Sequence, residues 1–189
     1  LLTLVPGVTL ETRAATYTTS DWNALINNYK RILCGSDSVD WDDPVIRDIV
    51  GAKSSTTGLS TSGISYKAGT KWQDLEKNRS NSKRIFGTVD MTAETNSTDL
   101  RLQFVDLYAM AQAYGTRGSS YTYKDSSGNV VTRELYQNQE LRDAIFFGLK
   151  KGLNFYNKTY FDAQRASANR GSIYNWWNWA YGGPLEILR

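Results

Sequence analysis

Apolar residues recur along this chain with the three-to-four-residue spacing of helices that bury one face. Trp22, Leu25, Ile26, Tyr29, Ile32 and Leu33 follow that period. Thr18-Thr19-Ser20-Asp21 supplies N-cap residues ahead of them, and Gly35 is a stop signal behind. Asp43-Pro44 pairs a cap with a proline suited to a first helical turn, and Val45, Ile46 and Ile49 complete a short helix. Residues 51–70 are rich in Gly, Ser and Thr and read as a loop, with weaker support for a brief helix around Trp72 to Lys77. Thr98-Asp99 opens a strong helix whose apolar face is Leu100, Phe104, Leu107, Met110, Ala111 and Tyr114; Gly115 ends it. Tyr121 and Tyr123 precede the turn signal Ser126-Ser127-Gly128-Asn129, so a small β-hairpin fits near 120–133. From about Gln137 to Tyr156, Leu141, Ile145, Leu149 and Leu153 mark another long helix. Pro184 suits the first turn of a further one, which Arg189 would cut short. The pattern predicts an all-α chain with long loops between its helices.

Composition refines this picture. The 189 residues are enough for one domain with a real core, and hydrophobic (40%) and charged (22%) shares are ordinary for a globular protein. Aromatics, at 13% with 6 Trp and 12 Tyr, are enriched, which suits a dense core or a surface built to stack on sugars or bases. A net charge of +3 is too small to argue for nucleic acid, and Lys77-Asn78-Arg79 and Lys83-Arg84 sit in a polar stretch as solvated clusters. The single cysteine, Cys34, allows no intrachain disulfide and is expected to be buried on the apolar side of its helix. With no histidine, this chain has no His general base, no Ser-His or Cys-His pair and no His-ligated metal. Asp37, Asp40, Asp42 and Asp43 lack the spacing and central glycine of an EF-hand and read as a solvated loop with a helix cap. No metal or cofactor is expected. Neither is a membrane span, since no stretch is long enough to cross a bilayer. Leu1 to Leu10 is apolar but interrupted by Pro6 and Gly7. It reads either as the remnant of an export signal ending near Ala14-Ala15 or as an extended arm that docks on a partner. Residues 1–18 are therefore set apart from a helical domain over 19–189.

The densest chemistry lies at Ser172 to Pro184, where Tyr174, Trp176, Trp177, Trp179 and Tyr181 crowd one short segment. Sugar rings present apolar C–H faces that lie flat on an indole, and Asn175 and Asn178 offer donors and acceptors to the surrounding hydroxyls. Taken alone, the segment reads first as an aromatic plug in a core, second as a carbohydrate platform, and least as a base-stacking surface.

A resemblance bears on that choice. Tyr174-Asn175-Trp176-Trp177-Asn178-Trp179, followed by Gly182 and Pro184, resembles the N-W-W-x-[WY]-x-x-G-x-P signature of polysaccharide lyase family 8, which includes hyaluronate, chondroitin AC and xanthan lyases. Trp22-Asn23-Ala24-Leu25 through Leu33 to Gly35 is similar to the family's first helix, and Asp42-Asp43-Pro44 follows at a similar distance. Leu107, Met110-Ala111, Ala113-Tyr114 and Gly118-Ser119 resemble its L-x-x-M-A-x-A-Y-x-x-x-G-S helix. The similarity covers about residues 19 to 187. It implies part of an incomplete α/α toroid of helical hairpins. By resemblance, Trp176 and Trp177 grip the polymer and Asn175 hydrogen-bonds it, with Trp179 and Tyr181 as further candidates. The family's reaction is β-elimination beside a uronate carboxylate. Its catalytic Asn, His, Tyr and Arg lie beyond the double-Trp motif, so no catalytic residue is assigned here. This chain departs from the family in having Asp106 where an Arg is frequent, Ala180 where Glu or Gln is usual, and Leu188-Arg189 where Asn or Asp is typical. An acidic polymer would prefer Arg to Asp at position 106.

The resemblance thus implies the polysaccharide-binding, N-terminal and apparently truncated portion of a secreted, extracellular lyase. This portion is inactive alone, and its partner is an acidic polysaccharide of the hyaluronan, chondroitin or xanthan type rather than nucleic acid or membrane. A C-terminal remainder of the same precursor would complete it. The alternative is a non-catalytic, lyase-like structural or assembly protein that self-associates through its apolar N-terminal arm.

Overall fold

The computed structural model describes residues 18–37, 40–167 and 177–188. Among these residues, six α-helices and one hairpin follow in order: α1 (Thr19–Cys34), α2 (Pro44–Val50), α3 (Gly63–Lys77), α4 (Ser97–Gly115), β1 (Ser120–Lys124), β2 (Val130–Glu134), α5 (Gln139–Ser167) and α6 (Gly183–Ile187). The arrangement is mostly helical, consistent with an incomplete α/α solenoid-like architecture. Among the described residues no helix is long and apolar enough to cross a membrane. The N-terminal arm expected over 1–18 lies almost wholly outside the described residues.

The helix boundaries follow local chemistry. Thr18 caps α1 in a capping box: its side chain accepts from the Asp21 N–H, and the Asp21 carboxylate accepts from the Thr18 N–H at 2.8 Å. Asp43 caps α2 ahead of Pro44, accepting from the Val45 N–H at 2.9 Å, and its other oxygen pairs with Arg31 at 2.5 Å. The acidic loop is tied down further where the Tyr136 hydroxyl donates to Asp37 at 2.5 Å. That bond holds the Tyr136 hydroxyl above its ordinary pKa, since ionising it would lose the donated proton beside a carboxylate.

Helix α4 is the centre of the fold, with α3, α5 and α6 packed around it. Its Leu100, Phe104, Leu107, Met110 and Ala113 join Trp72 and Leu75 of α3, Leu141 and Ala144 of α5, and Ile85, Phe86 and Met91 of the connecting loop in one core. Close approach of α5 to α4 depends on Gly148 and Gly152. A Cβ at Gly148 would meet Leu107 Cδ2 at 2.6 Å, and one at Gly152 would meet Phe104 at 3.0 Å. The expected hairpin is present, with Ser120 opposite Glu134 and Tyr121 opposite Arg133. Asp125 closes its turn by accepting from the Ser127 and Asn129 N–H groups at 2.9 Å each.

Two expectations are corrected. Residues 63–70 are helical, not loop. The buried side of α3 is built of Ser65, Ala68 and Gly69 ahead of Trp72 and Leu75, and such small residues leave little hydrophobic signal. Ser65 is satisfied in the interior by donating to the Ile49 carbonyl at 2.7 Å. Cys34 is exposed, not buried. No residue of α1 is buried, and Trp22 (55%), Ile26 (49%) and Tyr29 (58%) lie open. The helix is attached near its C-terminal end, where Tyr108 and Gln112 of α4 donate to the Ile32 carbonyl at 2.9 and 3.0 Å. An apolar stripe is buried only where a second layer covers it, and α4 reaches only that end.

Candidate functional site

The aromatic segment enters the described structure at Trp177, in helical conformation, and runs through a π-helical turn (Asn178–Gly182) into α6. The wide turn has a local cause. Pro184 has no N–H to donate back to Ala180, and its ring crowds that carbonyl. The Gly183 N–H instead reaches back five residues to the Asn178 carbonyl.

This turn sorts the aromatic rings. Trp177 is 51% exposed and Tyr181 55%, and their four-residue separation suits neighbours on one side of the helix. Trp179 is 1% exposed and belongs to the core, its ring tilted at 47° to Tyr156 with centroids 5.7 Å apart. The Tyr156 hydroxyl donates to the Trp179 carbonyl, so α5 grips the backbone of the turn as well as its side chain. Asn178, nearly buried, donates from Nδ2 to the Thr98 hydroxyl of α4 at 2.7 Å. Asn175 and Trp176 lie outside the described residues.

Several residues that support this geometry carry no signal as isolated letters. Gly182 gives the Trp177 ring its place: an added Cβ would meet indole Cζ3 at 2.6 Å and Arg101 Cδ at 2.9 Å. Arg101 of α4 lies beside the same glycine and pairs with Glu186 of α6 at 3.1 Å, both side chains largely shielded from solvent. Arg101 and Glu186, and the parts that Thr98 and Gly182 play at this turn, escaped sequence reading because their partners lie on other elements, 80 or more residues apart for the two polar pairs. Only the Gly182-Gly183-Pro184 run could have hinted at a close-packed, irregular turn. Beside Glu186, a small apolar hollow of about 130 Å³ is lined by Leu33, Phe104, Leu107, Ile145 and Leu149.

Asp106, the residue at odds with the family pattern, turns inward and is clamped by two lysines of α3. Lys67 lies 2.9 Å from one oxygen and Lys71 2.6 Å from the other. The acidic residue is therefore neutralised, and the group of three keeps one net positive charge.

The architecture is thus that of a helical scaffold presenting indole and phenol rings on an irregular turn. Residues 47–189, most of the chain, match the description "Polysaccharide lyase family 8, N terminal alpha-helical domain". The chain belongs to this family, which links it to polysaccharides as a class of partner. No curated protein and no solved structure matches it.

Proposed function

We propose that this chain is the polysaccharide-gripping part of a secreted lyase that acts on uronic-acid-containing polymers by β-elimination. The observation that carries this reading is the half-exposed Trp177 indole, seated over Gly182 and backed by the salt-bridged Arg101. An open indole on a rigid base offers a pyranose ring an apolar face at little entropic cost. Tyr181 extends the platform. Trp179 acts from within the core by holding the turn, and Asn178 does so through Thr98. Asn175 and Trp176 complete the grip on the strength of the family motif. Chemistry in this reading falls to groups that the 189 residues do not supply, among them a histidine.

Titration of the chain with hyaluronan and chondroitin oligosaccharides, followed by tryptophan fluorescence and calorimetry, tests the proposal. Trp177→Ala and Trp176→Ala are expected to weaken binding about tenfold or more, on the scale of one aromatic stacking contact. A wild-type chain that binds no acidic polymer sinks it.

The exposed Trp22, Ile26 and Tyr29 of α1 favour a second reading, self-association of a non-catalytic protein. Sedimentation velocity separates the two. A stable oligomer lost in a Trp22→Ser/Tyr29→Ser variant, with no polymer bound by the wild type, replaces the first reading by the second.

A further inference from the structure

Several cations in this fold already face a carboxylate. Lys67 and Lys71 share Asp106, Arg101 meets Glu186, Arg31 meets Asp43, and Arg133 meets Glu76. The broad cleft beside the hairpin is lined by Lys77, Lys124 and Arg133, but Glu76 and Asp125 line it too. One hollow differs. Between the end of α3 and the flank of α5, a recess of about 400 Å³ is lined by Arg79, Asn81, Phe147, Lys150, Lys151 and Asn154. It contains three cations, two amides and an aromatic ring, with no carboxylate. Among the described residues, none of the three cations makes an ion pair.

This grouping is built by the fold. Phe147, Lys150, Lys151 and Asn154 stand at i, i+3, i+4 and i+7 on one face of α5. Arg79 comes from the turn after α3, and its guanidinium sits 4.8 Å from the centre of the Phe147 ring. Lys151 Nζ lies 5.5 Å from the same centre and donates to the Asn78 and Asn81 carbonyls. The ring and the two carbonyls thus hold Arg79 and Lys151 in place, at the cost of their mutual repulsion. Partial burial pushes the Lys151 ammonium below its ordinary pKa, as expected for a cation short of compensating charge.

We propose that this recess binds an anionic oxygen group, a carboxylate or sulfate, carried on an acidic saccharide. The Arg79 guanidinium offers paired N–H donors to two oxygens of such a group. Lys150 is exposed at the rim, and Lys151 retains a third N–H beyond the two given to the carbonyls. Asn81 and Asn154 flank the recess with amides suited to sugar hydroxyls. By helical spacing this face of α5 points well away from the side that carries Tyr156 and receives Trp179, so the recess is separate from the aromatic turn. The anion site stands on its own residues; the saccharide carrier rests on the function proposed above.

The test uses the full chain and three probes: inorganic sulfate, a chondroitin sulfate oligosaccharide and a neutral oligosaccharide of equal length. Binding is followed by calorimetry and by NMR of the Arg79 Nε–H and Lys151 ammonium groups. The expected result is that both anionic probes perturb these groups and the neutral one does not. An Arg79→Ala/Lys150→Ala variant is expected to bind the sulfated oligosaccharide about tenfold or more weakly, as for loss of charge-assisted hydrogen bonds. The difference should shrink at high salt. These side chains lie at the surface, so the variant should keep the wild-type melting temperature. Lys151→Met, with its shape largely kept, gives an independent second reading. Unchanged affinity in both variants overturns the site. Sulfate bound here with no oligosaccharide competing for it overturns the saccharide assignment, as does equal competition by an oligonucleotide. If Trp177→Ala abolishes oligosaccharide binding while sulfate still perturbs Arg79, the anion site stands and its saccharide assignment falls.

Discussion

Arg101 on α4 and Glu186 on α6 meet at 3.1 Å, and the stem of that arginine lies beside Gly182, where the Trp177 indole rests. The pair joins the central helix to the aromatic turn. With both side chains mostly shielded, removing one partner leaves the other's charge poorly solvated. Glu186→Ala is therefore expected to cost about 1–3 kcal/mol of stability, less than a fully buried pair because some water reaches Arg101. Urea denaturation measures it. A double Arg101→Met/Glu186→Leu variant should recover much of the loss, and failure of both variants to differ from wild type would show the pair to be incidental.

Gly182→Ala tests the seat of the indole. The new methyl would overlap Trp177 and press on Arg101, and so would displace the ring or the turn. The expected cost is about 1–3 kcal/mol, the usual range for overpacking. Tryptophan emission should shift as the indole changes its exposure, and polymer binding should fall with it. Wild-type spectra and affinity in the alanine variant would mean that the ring does not rest there.

Removing the carboxylate that holds Lys67 and Lys71 together should also be costly. Asp106→Asn leaves the two ammonium groups facing a neutral amide within the same space. A loss of about 1–3 kcal/mol is expected, partly reversed by added salt, because the lysines are partly exposed and screening softens their repulsion. A Lys67→Met/Asp106→Asn variant should be closer to wild type than Asp106→Asn alone. Thermal unfolding at low and high ionic strength decides the matter.

Asp90 provides a pH signature. Its carboxylate accepts from the Thr92 hydroxyl at 2.5 Å and the Thr92 N–H at 2.9 Å, with Lys83 also donating, and is held down from 3.8 to about 2. Over that interval the folded chain binds fewer protons than the unfolded one. The contribution to stability is therefore complete above pH 3.8 and is lost as pH falls through about 2. Thr92→Val should raise the Asp90 pKa toward its ordinary value. Carboxyl-carbon NMR titration reads this directly; an unmoved value in the variant would remove Thr92 as the cause.

Much of the helical plan was legible as letters. The Thr18 and Asp43 caps, the stop at Gly35, the Ser126–Asn129 turn and the run of α4 all depend on bonds within a few residues. Helix α3 was legible only in its second half, because Ser65, Ala68 and Gly69 pack by being small rather than apolar. Cys34 and the α1 stripe mark the opposite failure. Periodicity reports which face could be buried, but covering it requires another element. In the aromatic segment, the family motif put Trp177 ahead of Trp179 and Tyr181, but it could not tell that the turn places Trp177 and Tyr181 at the surface and Trp179 in the core.

By itself, then, the order of residues determined the local elements, the family motif and the absence of histidine chemistry, since each rests on neighbours in the chain. Only the tertiary structure decided which rings face solvent, that Asp106 is neutralised by α3, and that Arg79 and Lys151 meet at the Phe147 ring. Those outcomes depend on side chains separated by tens of residues. Their meeting is set by how helices pack, and no periodicity within a single helix encodes it.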